Sequence, residues 1–261
     1  EFNDSETFWI RMDNLQSGGV LLYDVSSKRT FRLSASNKML NSNNVNTVSI
    51  DKTNKVWIGS DKGLIYFSSS KLDDIVNLES YLIPDDGNKN IFQDIQINSL
   101  LIDNSNNKWI GTENGLFVYD SEEKIIIKHF QKDNSPLISD TIYSMEMNEK
   151  GEIFILTSEG LMSLTTYNSS PKNNYDLVKI YPNPLLLKEH ETLIFSGLLE
   201  NNHIKITSLS GAEIITLEYR GGGLSWSLIG KNGKKILPGI YLVFIVSDDG
   251  TENFLSKILV I

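Results

Sequence analysis

The chain has 261 residues, a formal net charge of −9 and no cysteine. That length allows one large or two small domains, each with its own core, while the acidic balance leaves no basic face for a nucleic-acid backbone. The missing thiols exclude disulfides, thiolate catalysis and sulfur-ligated zinc, without fixing the compartment.

No apolar run nears the roughly 20 residues that a membrane-spanning helix needs, and the opening EFNDSETF lacks the charged and apolar regions of a signal peptide. It implies either a cytosolic protein or a chain whose true beginning lies upstream, and the leading Glu1-Phe2 could be a cloning remnant.

Residues 8–24 (FWIRMDNLQSGGVLLYD) are a degenerate copy of a unit written clearly at 51–67 and 103–120, and loosely at 148–164. Aligned on Trp9, Trp57, Trp109 and Phe154, the copies lie 48, 52 and 45 residues apart, in the range of about 40–50 expected of propeller blades. Upstream, Val45, Ile97 and Ile142 share one column, Val48, Leu100 and Met145 a second, and Ile50, Ile102 and Met147 a third. Together they predict a strand.

Asp51, Asp103 and Asn148 come next, then Asn54, Asn106 and Gly151. Asp and Asn bond their own backbone in tight turns, and Asn and Gly tolerate positive φ, so the two columns predict a reverse turn. After the aromatic strand, Gly63, Gly115 and Gly160 predict a second turn into a short strand, with a variable outer strand absorbing the length differences. One such sheet cannot cover both faces. Neighbouring units should stack, with the repeated Trp and Ile between them rather than Trp57 and Trp109 lining a ligand groove.

Residues 168–175, inside TYNSSPKNNY, are polar and contain Pro171, which predicts a linker. From 176 to 261 short apolar runs alternate with closely spaced turns. About seven strands fit, and they predict a small immunoglobulin-like sandwich. The prolines of YPNP confine Tyr181–Pro184 to an edge or strand end. The run KILVI at the carboxylate makes sense if the terminus is paired in a sheet. YRGGGLSW has no lysine or helix after its glycines and is expected as a flexible hairpin turn.

The chemistry-bearing residues are dispersed. His129, His190 and His203 show no ligand spacing. The pairs Asp73 with Asp74, Asp85 with Asp86, and Asp248 with Asp249 sit by turn residues without a calcium-loop pattern, and are expected as solvated turn acids. No Gly-x-Ser-x-Gly elbow is present. No catalytic residue, metal site or cofactor is predicted.

The repeat resembles the two-component regulator propeller of Bacteroidota, whose pattern joins a V-x-x-I-x-x-D strand to a W-I-G-T-x-x-G-L hairpin; Trp9, Trp57, Gly63, Trp109, Gly115, Phe154 and Gly160 are its structural positions here. The later stretches YPNP, ITSLSGAEI, LPGIYLVFIVSDDG and SKILVI resemble, in order, the C-terminal sorting domain of the type IX secretion system. That likeness assigns sorting-signal positions to Tyr181, Pro182, Asn183, Pro184, Gly211, Gly239, Tyr241, Lys257, Leu259 and Val260, with SKI standing where many members carry paired lysines.

These resemblances imply an all-β chain: about three and a half four-stranded propeller blades over 1–167, beginning in mid-propeller, the linker, and a sorting sandwich over 176–261. They imply a non-enzymatic exported protein, at the cell surface or secreted, whose partners are the type IX translocon and sortase. The combination is similar to a surface component that attaches cargo to anionic lipopolysaccharide. The alternatives are an ordinary cargo protein whose sorting domain is cleaved, the sensor region of a hybrid two-component regulator, and a polysaccharide-acting propeller enzyme. The propeller's ligand is not specified.

Overall fold

The computed structural model describes residues 7–13, 18–75, 81–82, 91–120 and 125–261. The chain forms two compact units, Glu1–Glu146 with Phe154–Ser163, and Met147–Ile153 with Leu164–Ile261.

The first sheet is β1 (Thr7–Met12), β2 (Gly19–Asp24) and β3 (Thr30–Leu33). The second is β4 (Val45–Ile50), β5 (Val56–Ser60), β6 (Gly63–Phe67) and β7 (Tyr81–Leu82), with one helical turn, α1 (Leu72–Ile75), before its last strand. The third is β8 (Ile97–Ile102), β9 (Lys108–Thr112), β10 (Leu116–Asp120) and β11 (Ile125–Phe130). The fourth is β12 (Ile142–Met147), β13 (Glu152–Thr157) and β14 (Gly160–Thr165). All are antiparallel meanders in a β-propeller-like arrangement. Two of the four sheets have four strands and two have three among the described residues, fewer than the sequence predicts for the last copy.

Local turn chemistry accounts for the repeated columns. Oδ1 of Asp51 accepts from the amides of Thr53 and Lys55, Oδ1 of Asp103 from Ser105 and Asn107, and Oδ1 of Asn148 from Lys150 and Glu152. Asn54, Asn106 and Gly151 take φ of 62°, 67° and 79°, the left-handed region the turn needs. The other carboxylate oxygen accepts from the indole six residues on, Trp57 to Asp51 and Trp109 to Asp103, each at 2.9 Å. Phe154 has no such donor, and its turn carries Asn148 in place of aspartate.

Adjacent sheets bury their facing residues. Trp9, Val20 and Leu22 pack with Val56, Ile58 and Phe67; Trp57 and Leu64 pack with Ile97, Leu100 and Tyr119. The glycine of Trp-Ile-Gly is required by this stacking. A methyl at Gly59 would lie 2.5 Å from Cγ2 of Ile97, and one at Gly111 2.7 Å from Cγ2 of Ile142, far inside contact distance.

The end sheets differ from the middle ones. β5 and β9 are buried on both faces. β1 buries Trp9 and exposes Phe8 and Ile10, whereas β13 buries Ile153 and Ile155 and exposes Phe154 (39 %) and Leu156 (44 %). Phe154 therefore departs from the interblade core expected of its column, because among the described residues no further sheet of its own unit covers that face.

The second unit has seven strands in two sheets. β15 (Lys179–Tyr181), β16 (Leu193–Ser196) and β19 (Gly223–Trp226) form one; β17 (Asn201–Ser208), β18 (Glu213–Arg220), β20 (Gly239–Ser247) and β21 (Asn253–Val260) form the other, in the order β18-β17-β20-β21. Leu193, Phe195 and Trp226 share one core with Ile204, Ile206, Val243, Ile245 and Ile258. Period-2 burial along β20 and β21 follows from one sheet face meeting this core.

Two local expectations change. Residues 168–175 are tied down within the second unit: Ser170 N donates to Glu149 O and Lys172 N to Leu198 O, both at 2.8 Å, and buried Tyr175 donates to Asn202 Oδ1 at 3.1 Å. The glycines of YRGGGLSW cross from β18 in one sheet to β19 in the other, so they are no hairpin. Gly222 N donates to Ser169 O at 2.9 Å, and a side chain at Gly222 or Gly223 would strike the carbonyls of Ser169, Ser170 and Tyr167. Close backbone approach, not flexibility, calls for glycine there.

Candidate functional site

Side chains of β1, β4, β8 and β12 line a cleft of about 500 Å³. Neighbouring inner strands are stitched across it by side chains: Asn46 Nδ2 donates to Ile97 O and Asn98 Nδ2 to Ile142 O, both at 2.9 Å, while Ser49 Oγ donates to Leu100 O at 3.2 Å and Ser99 Oγ accepts from Met145 N at 3.1 Å. Arg11 Nη1 donates to Asn46 O at 3.3 Å and Nη2 to Asp13 at 3.2 Å. With most polar groups engaged in stitching, the cleft presents the half-exposed Arg11 guanidinium and the Tyr143 ring. It could hydrogen-bond a polar solute.

One charged pair lies wholly inside the blade stack. Lys108 Nζ sits 2.9 Å from Asp51 Oδ2, both side chains 0 % exposed, donates to Asn106 O at 2.6 Å, and lies 5.0 Å from the centre of the Trp57 ring. Burial pushes the Asp51 carboxyl up, but the Lys108 charge and the donors of Thr53 and Trp57 outweigh it, and the net shift is downward. Burial pulls the Lys108 ammonium down more than Asp51 raises it. One feature of the sequence marks the pair: lysine stands in the column that holds Val56 and Ile153.

At the end of the second unit several of the dispersed positions that the resemblance assigns to a sorting signal come together. β21 pairs with β20 so that Gly239 faces Val260, Ile240 faces Leu259, Tyr241 faces Ile258 and Leu242 faces Lys257. Ser208 faces Tyr241 from the other side and opens the turn holding Gly211, whose amide donates to Ser208 O at 3.0 Å. Along the free edge of β21, Asn183 behaves as a piece of strand. Its Nδ2 donates to Lys257 O at 2.9 Å and its Oδ1 accepts from Leu259 N at 3.0 Å. The backbone continues the pattern, with Leu185 N to Leu259 O, Ile261 N to Leu185 O and Leu187 N to Ile261 O, each 2.8 Å. The two prolines of YPNP, both following cis bonds, need donate nothing here, since the Asn side chain supplies the pairing. Tyr181 closes β15 in the opposite sheet.

The remaining polar candidates stay apart. His129 stacks on Phe117 at 3.8 Å, His190 Nδ1 accepts from Leu186 N at 3.0 Å, and His203 Nε2 lies 3.1 Å from Asp248; His129 and His203 stand on strands. Asp73 pairs with Arg29 and, with Asp74, belongs to α1. Asp249 accepts from Ser247 and Thr251, which hold its carboxyl at about 2. Asp85 and Asp86 lie outside the described residues. Among the described residues no three His, Asp or Glu groups come together to hold a metal ion.

The stacked meanders with side-chain-stitched inner strands define a β-propeller-like protein. No family model matches the chain, and no curated protein matches it. Among solved structures it is similar to PorZ, an essential bacterial surface component of the type IX secretion system of Porphyromonas gingivalis, with a TM-score of 0.68 and 21 % identity over 100 % of this chain and 38 % of that one. It also resembles the extracellular domain of the hybrid two-component system BT3049 from B. thetaiotaomicron, with a TM-score of 0.51 and 15 % identity over 100 % of this chain and 37 % of that one. The chain thus spans less than two-fifths of the length of these structures.

Proposed function

We propose that this chain belongs to an exported, non-enzymatic cell-surface protein of Bacteroidota, a PorZ-like component of the type IX secretion attachment complex. In this reading the blade stack is a recognition module, and the terminal sandwich is read by the translocon and handled by the sortase, with anionic lipopolysaccharide as a further partner. One observation carries it: Asn183, Gly239, Tyr241, Lys257, Leu259 and Val260, which the resemblance assigns to a sorting signal, lie hydrogen-bonded together at one end of the second unit. The likeness to PorZ over the whole chain supports the same reading.

Cargo whose sorting domain is cut off needs an accessible segment ahead of it. The backbone of 168–175 is instead bonded to Glu149 and Leu198, and hydrogen-bonded segments resist nicking, which favours a retained domain. Mass spectrometry of the surface-bound protein is the test. Peptides through Ile261 are expected, and a mature form ending near residue 175 would overturn the reading in favour of ordinary cargo.

A further inference from the structure

A sheet with one face on a core normally turns polar side chains to water on the other. In the sheet β18-β17-β20-β21 this holds for only half of the outer face. β18 and β17 present Thr216, Glu218, His203 and Lys205, with Lys205 3.6 Å from Glu213. β20 and β21 present Ile240, Leu242 and Phe244 opposite Leu259, Lys257 and Leu255. Five of these six outward residues are apolar, and Leu255 is 60 % exposed. Ile261 extends the same patch at the chain end. Contiguous exposed apolar area of this kind marks an interaction surface.

We propose that this half-face is a docking site for a protein partner presenting an apolar surface with one carboxylate placed to meet Lys257. The inference rests on the secretion reading and names the surface through which it operates. The charge pattern selects the partner. Lys257 is the one cation in the patch and has no acid in register beside it, its cross-strand neighbours being Leu242 and, diagonally, Ile240 and Phe244. An anionic membrane would require several clustered cations, and the chain carries a net charge of −9. The edge of β21 is not the docking element near its end, because Asn183 and Leu185 already occupy it. That leaves the outward side chains for recognition.

The test uses the full-length protein in the cell that makes it, scored by surface display. Leu255→Glu and Lys257→Glu are each expected to cut display at least about tenfold, the loss typical of a central interface residue. Lys257→Arg should retain it, as should Glu218→Gln on the polar half of the same sheet. Unchanged denaturation midpoints would show that the sandwich remains folded in the variants. Normal display of both glutamate variants overturns the proposal. Deleting residues 176–261 separates the two ideas: if the truncated protein is displayed, the secretion reading fails; if it is stranded while the glutamate variants are displayed, only the docking face fails. Sedimentation with phosphatidylglycerol vesicles gives the last arm, and vesicle binding that Lys257→Glu abolishes would replace the protein partner with a lipid surface.

Discussion

Replacing Lys108 with methionine keeps much of the apolar stem and removes the charge that faces Asp51. At 2.9 Å and an effective dielectric near 20, the attraction is about 6 kcal/mol before desolvation is subtracted. Breaking a buried pair from one side costs about 3–5 kcal/mol, because the other charge stays behind. Asp51 keeps the donors of Trp57, Thr53 and Lys55, so the low end, about 3 kcal/mol, is expected. For a unit of this size that is about 6–12 °C in Tm. Thermal unfolding followed by tryptophan emission reports it, since three of the four tryptophans lie in the blade stack.

The pH dependence supplies a second readout. With Lys108 present, the folded-state value of Asp51 is lowered, so its contribution is present above the unfolded carboxylate value near 4 and is lost as pH falls through the folded one. Without Lys108, burial raises Asp51, the folded state takes up a proton more readily, and the variant's deficit should shrink as pH falls from 7 toward 5. Adding Lys55→Asn should recover about 1 kcal/mol, because Asn107 Nδ2 serves Asp103 in this way at 3.0 Å. A loss below about 1 kcal/mol, or a deficit that grows on acidification, would refute the reasoning.

Gly59→Ala should cost about 1–3 kcal/mol through overpacking against Ile97 and Thr47, and combining it with Ile97→Ala, which removes the Cγ2 that the new methyl strikes, should cost less in urea denaturation than the sum of the two single changes. Asn183→Ala should speed hydrogen exchange at the Leu259 amide by about tenfold, reflecting about 1.4 kcal/mol of lost pairing, with the core amides of β20 unchanged. Ser247→Ala should raise Asp249 from about 2 toward the ordinary carboxylate range, seen by NMR titration; because the native value is depressed, the stability it brings is present above about pH 4 and disappears as pH falls toward 2.

Much of the blade stack was legible in the sequence because its determinants are local. The Asp, the positive-φ Asn and the Trp lie within seven residues of one another and repeat. Asn183 illustrates the opposite case: its partners are 74 and 76 residues away, so its motif could be recognised while its role as a surrogate strand could not. Lys108 was hidden because its partner belongs to the preceding sheet, and Phe154 kept its column while losing its cover. Glycines 221–223 read as a turn because composition alone does not distinguish a turn from a place where two backbones touch.

Leu156 stands where the middle copies have Gly59 and Gly111, the hollow that admits an isoleucine from the following sheet. A leucine there plugs the hollow with the chain's own side chain. The contact that joins the middle sheets is therefore not repeated at the fourth: another sheet could not dock on that face as Ile97 and Ile142 do, and whatever shields Phe154 must offer a different shape.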